Sequence, residues 1–95
     1  LTTEKQIEAF CVQEASKRGG KAVKGNAVNT KGFPDRIIIL PGGKIGFLEL
    51  KRPGGKPTKL QKHWLQQLQN LGCFIGVADT KQTVMEFMDK LEGDI

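Results

Sequence analysis

The sequence predicts an α/β protein, a small mixed β-sheet flanked by helices, in the order helix, three strands, helix, strand, helix. Three observations lead there. Apolar residues recur at helical spacing in three segments, each opened by a threonine. Two apolar runs, 36–40 and 45–51, flank a Pro-Gly-Gly turn. A further short run, 74–78, separates the second and third helical segments. The 95 residues fit one domain, 1–95, and leave no room for a second.

Each element has its own signals. Thr3 and Gln6 form a capping box ahead of Ile7, Phe10, Cys11 and Ala15, which share a helix face. Gly19-Gly20 ends that helix. Residues 21–24 read as a short strand and residues 25–34 (GNAVNTKGFP) as a loop. Arg36–Leu40, with three consecutive isoleucines, is a strand, and Ile45–Lys51 returns beside it as the second arm of a hairpin. Two prolines and two glycines make Arg52–Pro57 a loop. Thr58 caps a second helix with Leu60, Trp64, Leu68 and Leu71 on its buried face, and Gly72 ends it. Phe74–Ala78 is a buried strand. Thr80 opens a last helix that packs through Val84, Phe87, Met88 and Leu91.

The formal charge is +5, but its distribution says more than its sum. Residues 15–78 hold twelve Lys or Arg and only two acids, Asp35 and Glu49. Five of the ten acids crowd into residues 79–95. A basic body suits a polyanionic partner, and a phosphate backbone rewards lysines by releasing counterions. Cys11 and Cys73 form no CxxC or Cys/His metal pattern and are expected as buried free thiols, which fits a reducing, intracellular setting. No apolar stretch approaches the ~20 residues of a membrane span, and no signal-peptide pattern opens the chain.

The two isolated acids hold the chemical interest. Side chains alternate along a strand, so Ile45, Phe47, Glu49 and Lys51 share one face, and Gly46, Leu48 and Leu50 take the other. In an antiparallel hairpin the start of one strand lies beside the end of its partner, which brings Asp35 to the edge where Glu49 and Lys51 emerge. Two carboxylates held close repel unless one is protonated or a cation lies between them. Oxygen ligands favour a hard ion, Mg²⁺ or Mn²⁺, and the main-chain carbonyl of Leu50 can complete the set. Lys51 is then placed to orient the attacking water or accept its proton, and to offset charge on phosphate oxygens. The competing explanation is a surface ion pair between Lys51 and a nearby carboxylate. Two acids alone in a basic stretch weaken DNA binding unless they perform a task.

Pro34-Asp35 followed by Glu49-Leu50-Lys51 reads as PD-(D/E)xK, the signature of a nuclease superfamily. The surrounding text, GFPDRIIILPGGKIGFLELKRPGGKPTKLQKHWLQQLQNLGCFIGV, closely resembles the virus-type replication-repair nuclease family, VRR-Nuc, over roughly residues 4–80. The resemblance implies a restriction-endonuclease-like core and metal-dependent cleavage of DNA. It makes Asp35 and Glu49 the metal-binding carboxylates, Lys51 the catalytic lysine and Gln61 a glutamine beside the active site. Glu8 becomes a first-helix glutamate supporting the metal, with Glu4 ranked lower. It further implies dimers acting on branched, Holliday-junction-like DNA in replication or repair, and, for a viral protein, the cytoplasm of a bacterial host.

Bland roles stand beside these. Gln61 lies three residues after Thr58 and suits a capping box; Glu8 suits an exposed helix face. Arg52, Lys56, Lys59 and Lys62, with Lys24 and Lys31 before them, are expected to contact DNA phosphates, the alternative being a solvated face. His63 has no expected catalytic role, and Trp64 is expected in the core. The rival function is a non-catalytic DNA-binding module on a nuclease-like scaffold. A third, an interaction domain using the acidic last helix, rests on charge alone.

Overall fold

The computed structural model describes residues 2–93. Its elements are α1 (Glu4–Lys17), β1 (Lys21–Lys24), β2 (Arg36–Leu40), β3 (Lys44–Leu50), α2 (Lys59–Asn70), β4 (Phe74–Ala78) and α3 (Lys81–Glu92). This is the expected order. Each helix starts at a threonine whose hydroxyl takes the amide three residues on, while that residue's side chain reaches back: Thr3 with Gln6, Thr58 with Gln61, Thr80 with Thr83. These boxes satisfy amides that the first turn leaves without partners.

The sheet is mixed. The strands lie in the order β1-β2-β3-β4, antiparallel across the first two junctions and parallel between β3 and β4. The parallel pairing requires a crossover, which α2 supplies. Ile7, Cys11 and Ala15 of α1 pack with Val84, Phe87, Met88 and Leu91 of α3 against Ile38, Leu40, Leu48, Leu50 and Ala78 of the sheet. Close approach at this face demands glycine: a Cβ on Gly76 would lie 2.5 Å from the Phe87 ring. Arg18 ties α1 to α3, bonding Glu14 at 2.8 Å, Asp89 at 2.8 Å and Glu92 at 2.9 Å. Part of the acidic tail is thus spent on the fold, and its Asp94 lies outside the described residues.

Several details differ from the sequence reading. Leu60 and Leu71 are exposed, Leu71 at 79%, and Leu65 joins Leu68 as the buried pair of α2. Leu71 is the C-cap, where the helix has already ended. Leu60 sits in the first turn, where the loop approaches it at Gly32: a Cβ there would fall 2.5 Å from its Cγ. Trp64 is half-buried and lies edge-on to Phe33 at 5.6 Å. Residues 25–28, expected as loop, form one 3₁₀ turn. β3 runs one residue earlier than expected, and Lys51 extends it by donating its amide to the Ala78 carbonyl at 2.9 Å. Cys11 is buried, and burial pushes its thiol up to about 12, which leaves it an inert core group; Cys73 is half-buried. Among the described residues no helix is long and apolar enough to cross a membrane.

Candidate active site

The β2–β3 register sets the site. Arg36 pairs with Leu48, so Asp35, one step back, stands opposite Glu49, one step on. The Leu50 amide donates to Asp35 Oδ2 at 2.8 Å. In an extended strand the N–H and C=O of one residue point the same way, so the Leu50 carbonyl also faces the Asp35 edge. Asp35 is delivered from below by packing: Phe33 stacks edge-on against Phe47 of β3 at 5.7 Å and against Trp64 of α2, which fixes the chain entering Pro34-Asp35.

Glu49 is 1% exposed, and neither of its carboxylate oxygens has a hydrogen-bond partner among the described residues. Lys51 Nζ lies 3.6 Å from Oε2, an ion pair too long for a hydrogen bond. Burial pushes the Glu49 carboxyl up to about 8; the neighbouring Asp35 carboxylate pushes the same way, and Lys51 opposes them. An acidic side chain so deeply buried with both oxygens orphaned is costly unless something compensates it. Asp35, Glu49 and the Leu50 carbonyl are all hard oxygen donors, and Asp35 Oδ1 has no protein partner among the described residues. This donor set fits a divalent cation such as Mg²⁺ or Mn²⁺. The surface ion-pair alternative fits poorly, because Glu49 is not at the surface.

Beside these groups lies a cleft of about 440 Å³. Asp35, Glu8 and Gln61 share its wall with Lys24 and Lys31. Glu49 and Lys51 do not line it, so Asp35 is the residue common to the acid pair and the cleft. Gln61 does two things at once: its Oε1 accepts the Thr58 amide at 2.8 Å in the capping box, and its side chain borders the cleft. Glu8 is engaged by Arg36, whose Nη2 and Nε reach Glu8 Oε2 at 2.9 and 3.1 Å. Among the described residues no three of His, Cys, Asp and Glu gather as a metal cluster, so Glu8 stands on the cleft wall and apart from the acid pair.

Arg52, Lys56, Lys59 and Lys62 are exposed along the loop after β3 and the first turn of α2, outside the cleft. His63 is exposed and does not line it. Three residues were missed from the sequence. Arg36 is buried and also bonds the Ala22 carbonyl at 2.9 Å; its signal was a charge at an inward position of a strand that otherwise alternates Ile38, Leu40. Asn26 and Thr30 line the cleft from a loop whose path has no periodic signal.

Known proteins share this sequence and fold. The model of the VRR-NUC domain matches residues 2–82. A protein named "Putative nuclease p44", from Acyrthosiphon pisum secondary endosymbiont phage 1, is 42% identical over 81 residues, which are 85% of this chain and 87% of that protein. A solved structure described as a VRR_NUC domain has a TM-score of 0.83 over 94% of this chain and 97% of its own; at 24% identity it speaks for the fold. The chain belongs to the VRR-NUC family of nuclease domains.

Proposed function

We propose that this chain is a divalent-metal-dependent DNA endonuclease that hydrolyses phosphodiester bonds in branched, Holliday-junction-like DNA during replication or repair. The observation that supports it above all is Glu49: buried, without a hydrogen-bond partner among the described residues, opposite Asp35 and beside Lys51. Asp35, Glu49 and the Leu50 carbonyl would hold Mg²⁺ or Mn²⁺, with Glu8 in a supporting place on the cleft wall. When bound, such a cation neutralises charge on the scissile phosphate and makes water a better nucleophile.

The chain's own groups do the rest. Lys51, held against Glu49, orients the attacking water and offsets negative charge that develops on the phosphate oxygens. Water adds to phosphorus in line and loses a proton to solvent, and the bond to the departing strand oxygen breaks as that oxygen takes a proton from solvent. Gln61, on the wall with Asp35, positions the strand. Lys24 and Lys31 in the cleft, with Arg52, Lys56, Lys59 and Lys62 on the exposed rim, neutralise the DNA backbone without reading bases.

One site per chain makes one cut, whereas resolving a four-way junction takes two. A C2 homodimer supplies both. An uncovered apolar sheet face supports this arrangement: Val23, Ile39 and Ile45 are exposed, Ile45 at 50%, with Ile39 and Ile45 directly paired. Likeness to a phage protein supports the cytoplasm of a bacterial host as the place of action.

The test compares wild type with Lys51→Ala on a labelled four-way junction and a linear duplex, in Mg²⁺ and in Mn²⁺. Cleavage of the junction in preference to the duplex is expected, falling at least ~100-fold in the variant while binding persists. Binding without cleavage in either metal would leave a DNA-binding module. Cleavage that survives the substitution would remove Lys51 from the mechanism.

A further inference from the structure

We infer that the loop between β1 and β2 is a phosphate trough for the DNA strand flanking the cut, with the Asn26 carboxamide and the Thr30 hydroxyl as its neutral donors beside Lys24 and Lys31. The inference rests on the nuclease reading of the acid pair and names how the substrate strand is held next to it.

Two cavities meet on this loop. The cleft that contains Asp35 shares Asn26, Thr30 and Lys31 with a second cavity of about 330 Å³, which adds Asn29. The trough therefore begins at Asp35 and continues along the loop, away from the acid pair. Its donors are unspent. The hydroxyls of Thr3, Thr58, Thr80 and Thr83 are all engaged in helix caps, whereas Thr30 and the carboxamides of Asn26 and Asn29 make no side-chain hydrogen bond to protein among the described residues. Lys24 and Lys31 enter no ion pair among the described residues, and segment 25–34 contains no acid. Along the second cavity Asn26, Asn29, Thr30 and Lys31 form a lining with no carboxylate, and free hydroxyl, carboxamide and ammonium donors of this kind suit the oxygens of a phosphodiester chain.

The loop is also held in place relative to the cut. At its start Gly25 donates its amide to the Asp35 carbonyl at 2.7 Å, and at its end Gly32 sits against Leu60 of α2. Both anchors refer the trough to elements that carry site residues: β2, which follows Asp35, and α2, which bears Gln61. A strand lying there is set relative to Asp35 by the main chain. Its contacts go to phosphate, so the trough works on any sequence.

The probe is a fluorescent hexathymidylate, titrated by anisotropy in EDTA so that no cleavage occurs. Thr30→Val, which keeps shape and removes the hydroxyl, and Asn26→Ala should each weaken binding about 3–10-fold, the effect of one net hydrogen bond. Lys31→Ala should lower the slope of log K against log salt by about 0.7. Mn²⁺ affinity, measured by calorimetry, should stay at the wild-type value in all three. Unchanged oligonucleotide affinity and salt slope in all three, with wild-type circular dichroism, would overturn the trough. A wild type that binds the probe through these residues but never cleaves would overturn the nuclease reading and leave the trough standing.

Discussion

Asp35 takes the Leu50 amide hydrogen across the β2–β3 junction at 2.8 Å. The bond holds the Asp35 carboxylate toward β3 and keeps it from swinging away from Glu49. The repulsion between the two acids is therefore built into the backbone pairing. It joins burial in raising the Glu49 carboxyl to about 8. A cation bound between the two carboxylates would relieve that penalty.

That penalty is measurable without any DNA. The folded Glu49 binds its proton more tightly than the unfolded one, from an ordinary 4.5 to about 8. The sign follows: its contribution to folding is fully present below about 4.5 and is lost as pH rises toward about 8. In EDTA the wild-type Tm should fall from pH 5 to pH 8 more steeply than that of Glu49→Gln, which cannot ionise. At pH 8, Mg²⁺ or Mn²⁺ should raise the Tm of wild type and not of the variant, because only the wild-type folded state binds it strongly. Parallel Tm curves for the two proteins, with equal response to metal, would show that Glu49 is neither strained nor a ligand. The variant should also lose cleavage.

What could be read in advance, and what could not, follows from the range of the forces. Helix starts were legible because capping is local: Thr3, Thr58 and Thr80 each announce their helix within four residues. The hairpin was legible because alternation and one turn fix its register, and that register alone brought Asp35 opposite Glu49. The burial of Glu49 was not legible. Strand alternation gives the face that Glu49 takes and not what packs over it, and the side chain is 1% exposed. Nor was the pairing of Glu8 with Arg36, since 28 residues separate them and nothing local links a helix face to an inward strand charge. The α2 face was misread at Leu60 and Leu71 because the helical period was carried into the first turn and the cap, where packing no longer follows it.

Gly25 tests whether the loop places Asp35. Its amide bonds the Asp35 carbonyl, and a Cβ there would lie 1.7 Å from the Pro34 carbonyl oxygen, a backbone atom that cannot step aside. Gly25→Ala should destabilise the fold by about 1–3 kcal/mol through overpacking, read from the urea midpoint. Cleavage at a temperature where the variant is still folded should fall further than stability accounts for, because the clash pushes on the residue before Asp35. A variant with wild-type midpoint and wild-type activity would show that the two strands do not approach so closely.

Gln61 has two roles, and two substitutions separate them. Gln61→Ala removes the bond to the Thr58 amide and should cost about 0.5–1 kcal/mol. Gln61→Glu keeps an acceptor for that amide, so stability should stay close to wild type. It also sets a negative charge on the cleft wall with Asp35, against an incoming phosphate. DNA affinity should therefore drop about 10-fold in the glutamate variant, with much less change in its urea midpoint. If activity tracks stability in both proteins, Gln61 is a cap and nothing more.

The uncovered sheet face makes the last prediction. Ile45 is half-exposed near the turn end of the β2–β3 pairing, directly opposite Ile39, with Val23 exposed on β1. No helix among the described residues covers these side chains, although each would gain by leaving water. Burying the patch against its own copy also answers the stoichiometry of a four-way junction, which takes two related cuts. Wild type should sediment as a dimer at micromolar concentration. Ile45→Lys places an ammonium in the middle of the contact and, twice over across a two-fold axis, sets like charges near each other. It should sediment as a monomer with an unchanged fold. It should still nick a junction but no longer make paired cuts within one binding event, since Ile45 lies four residues from Glu49 along β3 and outside the cleft. A wild-type monomer that resolves junctions fully, or a dimer that ignores Ile45→Lys, would remove this face from the assembly and leave the chemistry of Asp35, Glu49 and Lys51 untouched.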